Sequence, residues 1–146
     1  MNGNVHRVIT LIIGFFLYLI LDVSSPFFFI FFILLSTVFS AGVPWSKGDF
    51  GFSPDIDLVM KRFHRSLLTH SPLFPILLLF LVKDFVYLNF VKFLYLSFAF
   101  GWCMHIFEDG LDSTKPWHGG KMLGIASVII SLLFLFYLFN KLSIMF

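Results

Sequence analysis

Charge is scarce in this chain. Only 12% of its 146 residues are Asp, Glu, Lys or Arg, about half the usual share. So few charges cannot cover a folded domain with polar surface, which excludes an ordinary water-soluble globule as the first reading. Cysteine is scarcer still, with Cys103 alone. A single cysteine makes no internal disulfide and no CxxC pair, so it reads as a filler of the apolar run around it. No basic cluster interleaved with aromatics occurs outside the apolar runs, and the formal charge is only +2. Nothing there calls for a nucleic-acid partner. No internal repeat, heptad array or low-complexity linker divides the chain, and its length suits one domain over residues 1–146.

What the chain has is apolar. Hydrophobic residues make up 59%, 23 residues are Phe, and the mean hydropathy is +0.96. Many aromatics with few charges argue against disorder. A helix that spans a bilayer needs about 20 residues, so four or five spans fit this length. The expected fold is an all-α, polytopic membrane helical bundle of about five transmembrane helices. The runs are 8–21, 26–43, 72–82 (beginning as early as Leu67 and continuing to Leu88 if Lys83 and Asp84 lie near the interface), 91–107 and 123–139. Pro26 suits a helix's first turn, and Pro75 is placed to bend the third helix. After Phe107 the chain is expected to pass into the polar, turn-rich segment EDGLDSTKPWHGGK. The first run has a signal-peptide rival, since a charged start precedes it. No small-x-small cleavage site follows before the next apolar stretch, which favours a retained helix.

Five spans would put residues 1–7, 44–71 and 108–122 on one membrane face. That face carries Arg7, Lys47, Lys61, Arg62, Arg65, Lys115 and Lys121, against Lys83, Lys92 and Lys141 on the other. The positive-inside rule then places the first set in the cytoplasm. The expected location is the inner (cytoplasmic) membrane, with both acid- and histidine-rich segments at its cytoplasmic face.

Those segments carry the chemistry. The first holds Asp55 and Asp57 in PDID, then His64, Arg65 and His70 in HRSLLTH; the second holds His105, Glu108, Asp109 and Asp112 in HIFEDGLD, then His118. His105, Asp109 and Asp112 stand at i, i+4 and i+7, one face of a helix. Imidazole nitrogen and carboxylate oxygen together suit a divalent ion. Glu108 points into a different sector from His105. Asp55 and Asp57 can approach one cation from an extended or turning backbone after Pro54. Ionisable groups near hydrocarbon are costly unless paired or metallated. One or two divalent ions are therefore expected, with zinc, manganese and iron all compatible with mixed nitrogen and oxygen donors.

The metal-ligand candidates are Asp55, Asp57, His64, His70, His105, Asp109 and Asp112. His70 or His105 can carry protons if it is not a ligand, and Arg65 can clamp a phosphate or carboxylate with its forked donors. Arg65 also reads as an anchor charge at the membrane surface. Thr69 and Ser71 read as helix caps or as donors to the ligands. His6 can join the site, though a histidine beside a membrane span is the simpler reading. His118 reads as a surface histidine in a glycine turn, while Trp45 and Trp117 fit an aromatic belt.

Taken together, PDID at 54–57, HRSLLTHS at 64–71 and HIFEDGLDS at 105–113 resemble the small multispanning membrane-bound metal-dependent hydrolases of bacteria and archaea, including the LexA-regulated inner-membrane type. The glycine turn WHGG at 117–120 sits where that family has a turn. The resemblance covers about residues 54–124 and implies ligand roles for Asp55, Asp57, His64, His70, His105 and Asp109, with Asp112 in the same block. Ser66 departs from the family's usual glycine. The function expected on these grounds is hydrolysis at the cytoplasmic membrane face, on a lipid or another amphiphilic phosphate ester. A metal-ion or proton transporter and a metal-stabilised membrane scaffold are the alternatives. A lipid-phosphate phosphatase of the PSGH type fits poorly, because no SGH block accompanies the HxxxD piece.

Overall fold

A computed structural model of the chain describes residues 3–20, 25–41, 70–85, 88–111 and 121–142. Among the described residues all regular structure is helical. The elements are α1 (Gly3–Ile20), α2 (Pro26–Ala41), α3 (Leu73–Val82), α4 (Asn89–Leu111) and α5 (Lys121–Leu142). Every other helix packs on α4, and α1 also packs on α2. The core is aromatic and aliphatic: Phe29 and Phe32 from α2 meet Phe93, Leu96 and Phe100 from α4, with Leu135 and Leu138 from α5. Cys103 is free and buried in this core, as its sequence context suggests.

Small residues let α4 occupy the centre. At Gly101 a Cβ would meet the Ser36 carbonyl oxygen, and it would lie 2.8 Å from the Phe39 Cβ and 3.0 Å from the Ser40 nitrogen. Two of those neighbours are backbone and cannot rotate away. At Gly110 the first obstacle is instead a Val128 methyl group. Gly101→Ala is therefore expected to cost about 1–3 kcal/mol of stability by overpacking. Gly110→Ala is expected to cost less, because a side chain can move. Thermal unfolding of both variants in the same detergent checks the order; equal midpoints would contradict it.

Polar side chains lie inside and apolar ones outside. Thr10, Ser36, Thr37, Ser40, Ser97, Ser127 and Ser131 are buried. Phe15 and Phe16 on α1, Phe27 and Phe31 on α2, Phe80 and Leu81 on α3, and Leu133 and Phe136 on α5 are exposed. Ser36, Thr37 and Ser97 donate to carbonyls one turn back, on Phe32, Ile33 and Phe93, at 2.7, 2.8 and 2.9 Å. These hydroxyls are satisfied within their own helices.

The expected number of spans is corrected. Among the described residues, only α4 and α5 are long and apolar enough to cross a membrane. The apolar stretches Asn4–Leu17, Pro26–Ala41 and Leu73–Val82 are shorter, against the roughly 20 residues that a 30 Å hydrocarbon layer requires. α3 is short for visible reasons. It starts after Pro72, and past Val82 the backbone tightens into turns, with Phe85 N donating to Val82 O at 2.8 Å and Leu88 N to Phe85 O at 3.0 Å. The helix therefore does not continue to Leu88. The N-cap position is Pro72, and Ser71 Oγ, one residue earlier, accepts from the first helical amide, Leu73 N, at 3.2 Å. Pro75 has no N–H for the Ser71 carbonyl four residues back. Trp102 Nε1 donates to that carbonyl instead, at 3.3 Å.

A second correction concerns α4. It does not give way to a turn at Glu108 but runs on to Leu111. Glu108 and Asp109 are compatible with helix, and the extra turn keeps both in register with His105.

Candidate metal centre

Three parts of the chain meet at the last two turns of α4. α1 presents His6 and Thr10, one turn apart on one face. α4 presents His105, Glu108 and Asp109. His70 arrives immediately before α3. All of these side chains are buried, with His70, His105 and Glu108 at 0% exposure and Asp109 at 2%.

Asp109 is the hub. Its Oδ1 lies 3.5 Å from His6 Nε2, and its Oδ2 lies 3.4 Å from His70 Nε2 and 3.7 Å from His105 Nε2. These separations exceed the 2.7–3.2 Å of an N–H···O bond. They approach the edge of a coordination tetrahedron, which is about 3.3 Å for bonds of about 2.0–2.1 Å. One ligand atom each from His6, His105 and Asp109 all fall within 4.8 Å of one another. His6 Nε2 is buried and makes no hydrogen bond among the described residues.

The far side of each ring sets its chemistry. His105 Nδ1 is 2.7 Å from the carbonyl oxygen of Ser40. A carbonyl only accepts, so Nδ1 carries the proton and a neutral His105 turns the Nε2 lone pair toward Asp109. Ser40 lies in the last turn of α2, where carbonyls lack an intrahelical donor, which leaves this oxygen open to the imidazole. Arg7 Nη2 caps the next such oxygen, on Ala41, at 3.0 Å. His6 Nδ1 lies 2.5 Å from Glu108 Oε2. Thr10 Oγ1 is 3.1 Å from both Glu108 Oε1 and Ser40 Oγ. The His6 and His105 rings stack with centroids 4.2 Å apart and planes 20° from parallel, and His70 sits edge-on to His105 at 5.4 Å.

The donor set therefore suits a divalent cation. Two buried carboxylates at adjacent positions repel, and a buried charge without a counter-charge costs several kcal/mol. A cation among Asp109 and the imidazole nitrogens offsets both costs. It also uses the lone pairs that the Ser40 carbonyl and Glu108 turn inward.

Of the residues singled out by sequence, the structure brings His70, His105 and Asp109 together. Asp55, Asp57, His64, Arg65 and Asp112 lie outside the described residues, as do Thr69, His118, Trp45 and Trp117. Glu108 meets Nδ1 of His6, the ring stacked on His105, and is not among the grouped ligand atoms of His6, His105 and Asp109. His6 takes the place that sequence reasoning assigned only as an option. Its signal was a histidine ahead of the first apolar run, on the face shared with both acidic segments. The role of Glu108 beside it had no local sequence signal.

No family model matches the chain, and neither a curated protein nor a solved structure matches it. The family resemblance therefore stands on the three sequence blocks alone.

Proposed function

We propose that the chain is a metal-dependent hydrolase integrated in a membrane as one domain, with α4 and α5 crossing the bilayer and α1, α2 and α3 packed against α4 within it. The observation that carries this reading is the convergence of three buried imidazole Nε2 atoms on one buried carboxylate at 3.4–3.7 Å. The location proposed is the inner membrane, with the centre at the cytoplasmic face. A lipid or another amphiphilic phosphate ester is the proposed substrate, because the centre would open beside headgroups.

When bound, a divalent ion polarises a phosphoryl or carbonyl oxygen and makes water more acidic at neutral pH. His6, His105 and Asp109 would hold that ion, and Asp55, Asp57, His64 and Asp112 are proposed to complete the ligand set for one or two ions. The Nδ1 proton of His105 is committed to Ser40. That leaves His70 as the group to move a proton between water and leaving group. Arg65 is proposed to hold the phosphate charge.

Transport of ions is disfavoured by what lies beyond the centre. Phe32 packs there on both Phe93 and Phe100, and the hydroxyls of Ser36, Thr37 and Ser97 are engaged by their own helices. A conduit would need polar groups facing a shared path.

The test is hydrolysis of a panel of phospholipids and soluble phosphate esters by protein loaded in turn with zinc, manganese and iron. Turnover that is lost on chelation, restored by one metal and absent in His105→Ala supports the reading. Fully metallated protein that is inert on the whole panel would refute it. Ion flux into protein-bearing vesicles would replace it with transport.

A further inference from the structure

We infer that Glu108 is a positioning residue of the metal centre, fixing the tautomer of His6 and locking α1 onto α4 so that His6 Nε2 faces Asp109. This rests on the metal-centre reading above. The two acidic neighbours on α4 would then divide the work. Asp109 faces the three Nε2 atoms, while Glu108 faces the opposite edge of the His6 ring. A carboxylate only accepts hydrogen bonds when ionised, so its contact at His6 Nδ1 requires the ring proton there. The lone pair of a neutral His6 is thereby assigned to Nε2, the atom that points at Asp109.

Two features make Glu108 a built partner rather than a chance neighbour. It is fully buried, and its second oxygen accepts from Thr10, one turn along α1 from His6. Glu108 therefore holds two successive turns of α1 at once and sets the rotation of that helix about its own axis. His105 reaches the same tautomer by a different device, the backbone carbonyl of Ser40. The two stacked rings thus have matched Nδ1 protons, one fixed by backbone and one by a side chain. Only the second can be altered by mutation without moving a helix.

Glu108→Gln is the informative substitution. The glutamine carbonyl can accept from His6 Nδ1. Its amide can donate to Thr10 Oγ1, which then donates its own proton to Ser40 Oγ, 3.1 Å away. The geometry survives and only the charge is lost. Glu108→Ala removes both contacts.

Zinc and cobalt affinities of the full-length protein in detergent, measured against a chromophoric chelator, separate the cases. Loss of an outer partner of a metal-binding histidine typically lowers affinity 10–100-fold. Glu108→Ala is expected to fall in that range, with Glu108→Gln recovering most of the loss. Unchanged affinity in Glu108→Ala overturns the inference. So does a Glu108→Gln variant as defective as His105→Ala, which would make Glu108 a ligand. Nitrogen-15 NMR of His6 in metal-free wild-type protein gives a readout independent of any variant's folding. Protonation at Nδ1 is expected, whether or not Nε2 also carries a proton beside Asp109; a ring protonated at Nε2 alone overturns the proposal. Wild-type protein that binds neither metal overturns the metal centre itself and this inference with it; wild-type binding with an indifferent Glu108→Ala overturns this inference alone.

Discussion

Replacing Asp109 with alanine is expected to lower divalent-metal affinity by two to three decades and to remove the thermal stabilisation that metal confers. The magnitude follows from sharing. Zinc bound by about four protein ligands contributes roughly 10–16 kcal/mol in small folded sites, or about 2.5–4 kcal/mol per ligand, and each decade of affinity is about 1.4 kcal/mol. Asp109 should lie at or above that share, because His6, His70 and His105 all face its two oxygens. Among the described residues it is also the only acidic side chain in the donor group. Asp109→Asn separates charge from shape, since one amide oxygen remains where a carboxylate oxygen stood. Its affinity is expected between wild type and Asp109→Ala. Competition titration measures the affinities, and unfolding with and without added metal measures the linkage. In wild-type protein the midpoint should climb with metal concentration, as it must for a ligand that binds only the folded state. An Asp109→Ala protein that binds and stabilises like wild type would show that the carboxylate holds no ion.

Much of this centre was legible because a helix has a period. His105 and Asp109 are four apart, and the spacing alone puts them on one face. His70 could be added because it lies in a polar segment expected on the same side. His6 was harder, for its hydrogen-bond partner Glu108 is 102 positions away and no local pattern links them. The Ser40 carbonyl was out of reach altogether. It is backbone, identical in every residue, and its availability depends on where α2 ends. The count of spanning helices failed for a related reason. Hydropathy marks apolar runs and reads each as a span, but the stretches Asn4–Leu17, Pro26–Ala41 and Leu73–Val82 are too short for one.

A single arginine on the outer face of α5 is expected to decide whether that face meets lipid or water. Leu133 lies near the middle of Lys121–Leu142 and is 63% exposed, while its neighbour Ser131, two positions back, is fully buried. In water this arrangement would be inverted, since apolar side chains are driven inside and serine is cheap to leave out. In hydrocarbon the outer leucine costs nothing, and a hydroxyl is better placed against protein. Leu133→Arg is therefore expected to cost roughly 3–4 kcal/mol of insertion free energy, the sum of an arginine penalty of about 2.5–3.5 and the lost leucine preference of about 0.5. Because α5 packs only on α4 among the described helices, its failure to insert would strip one side of the helix that carries His105 and Asp109. Metal binding should then fall together with membrane integration. Leu133→Phe keeps the face apolar and is expected to behave like wild type. Resistance of the protein to alkaline extraction from membranes gives the measurement. A Leu133→Arg protein that leaves the membrane or fails to accumulate supports a lipid-facing α5. One that folds, binds metal and becomes more soluble would place that face in water.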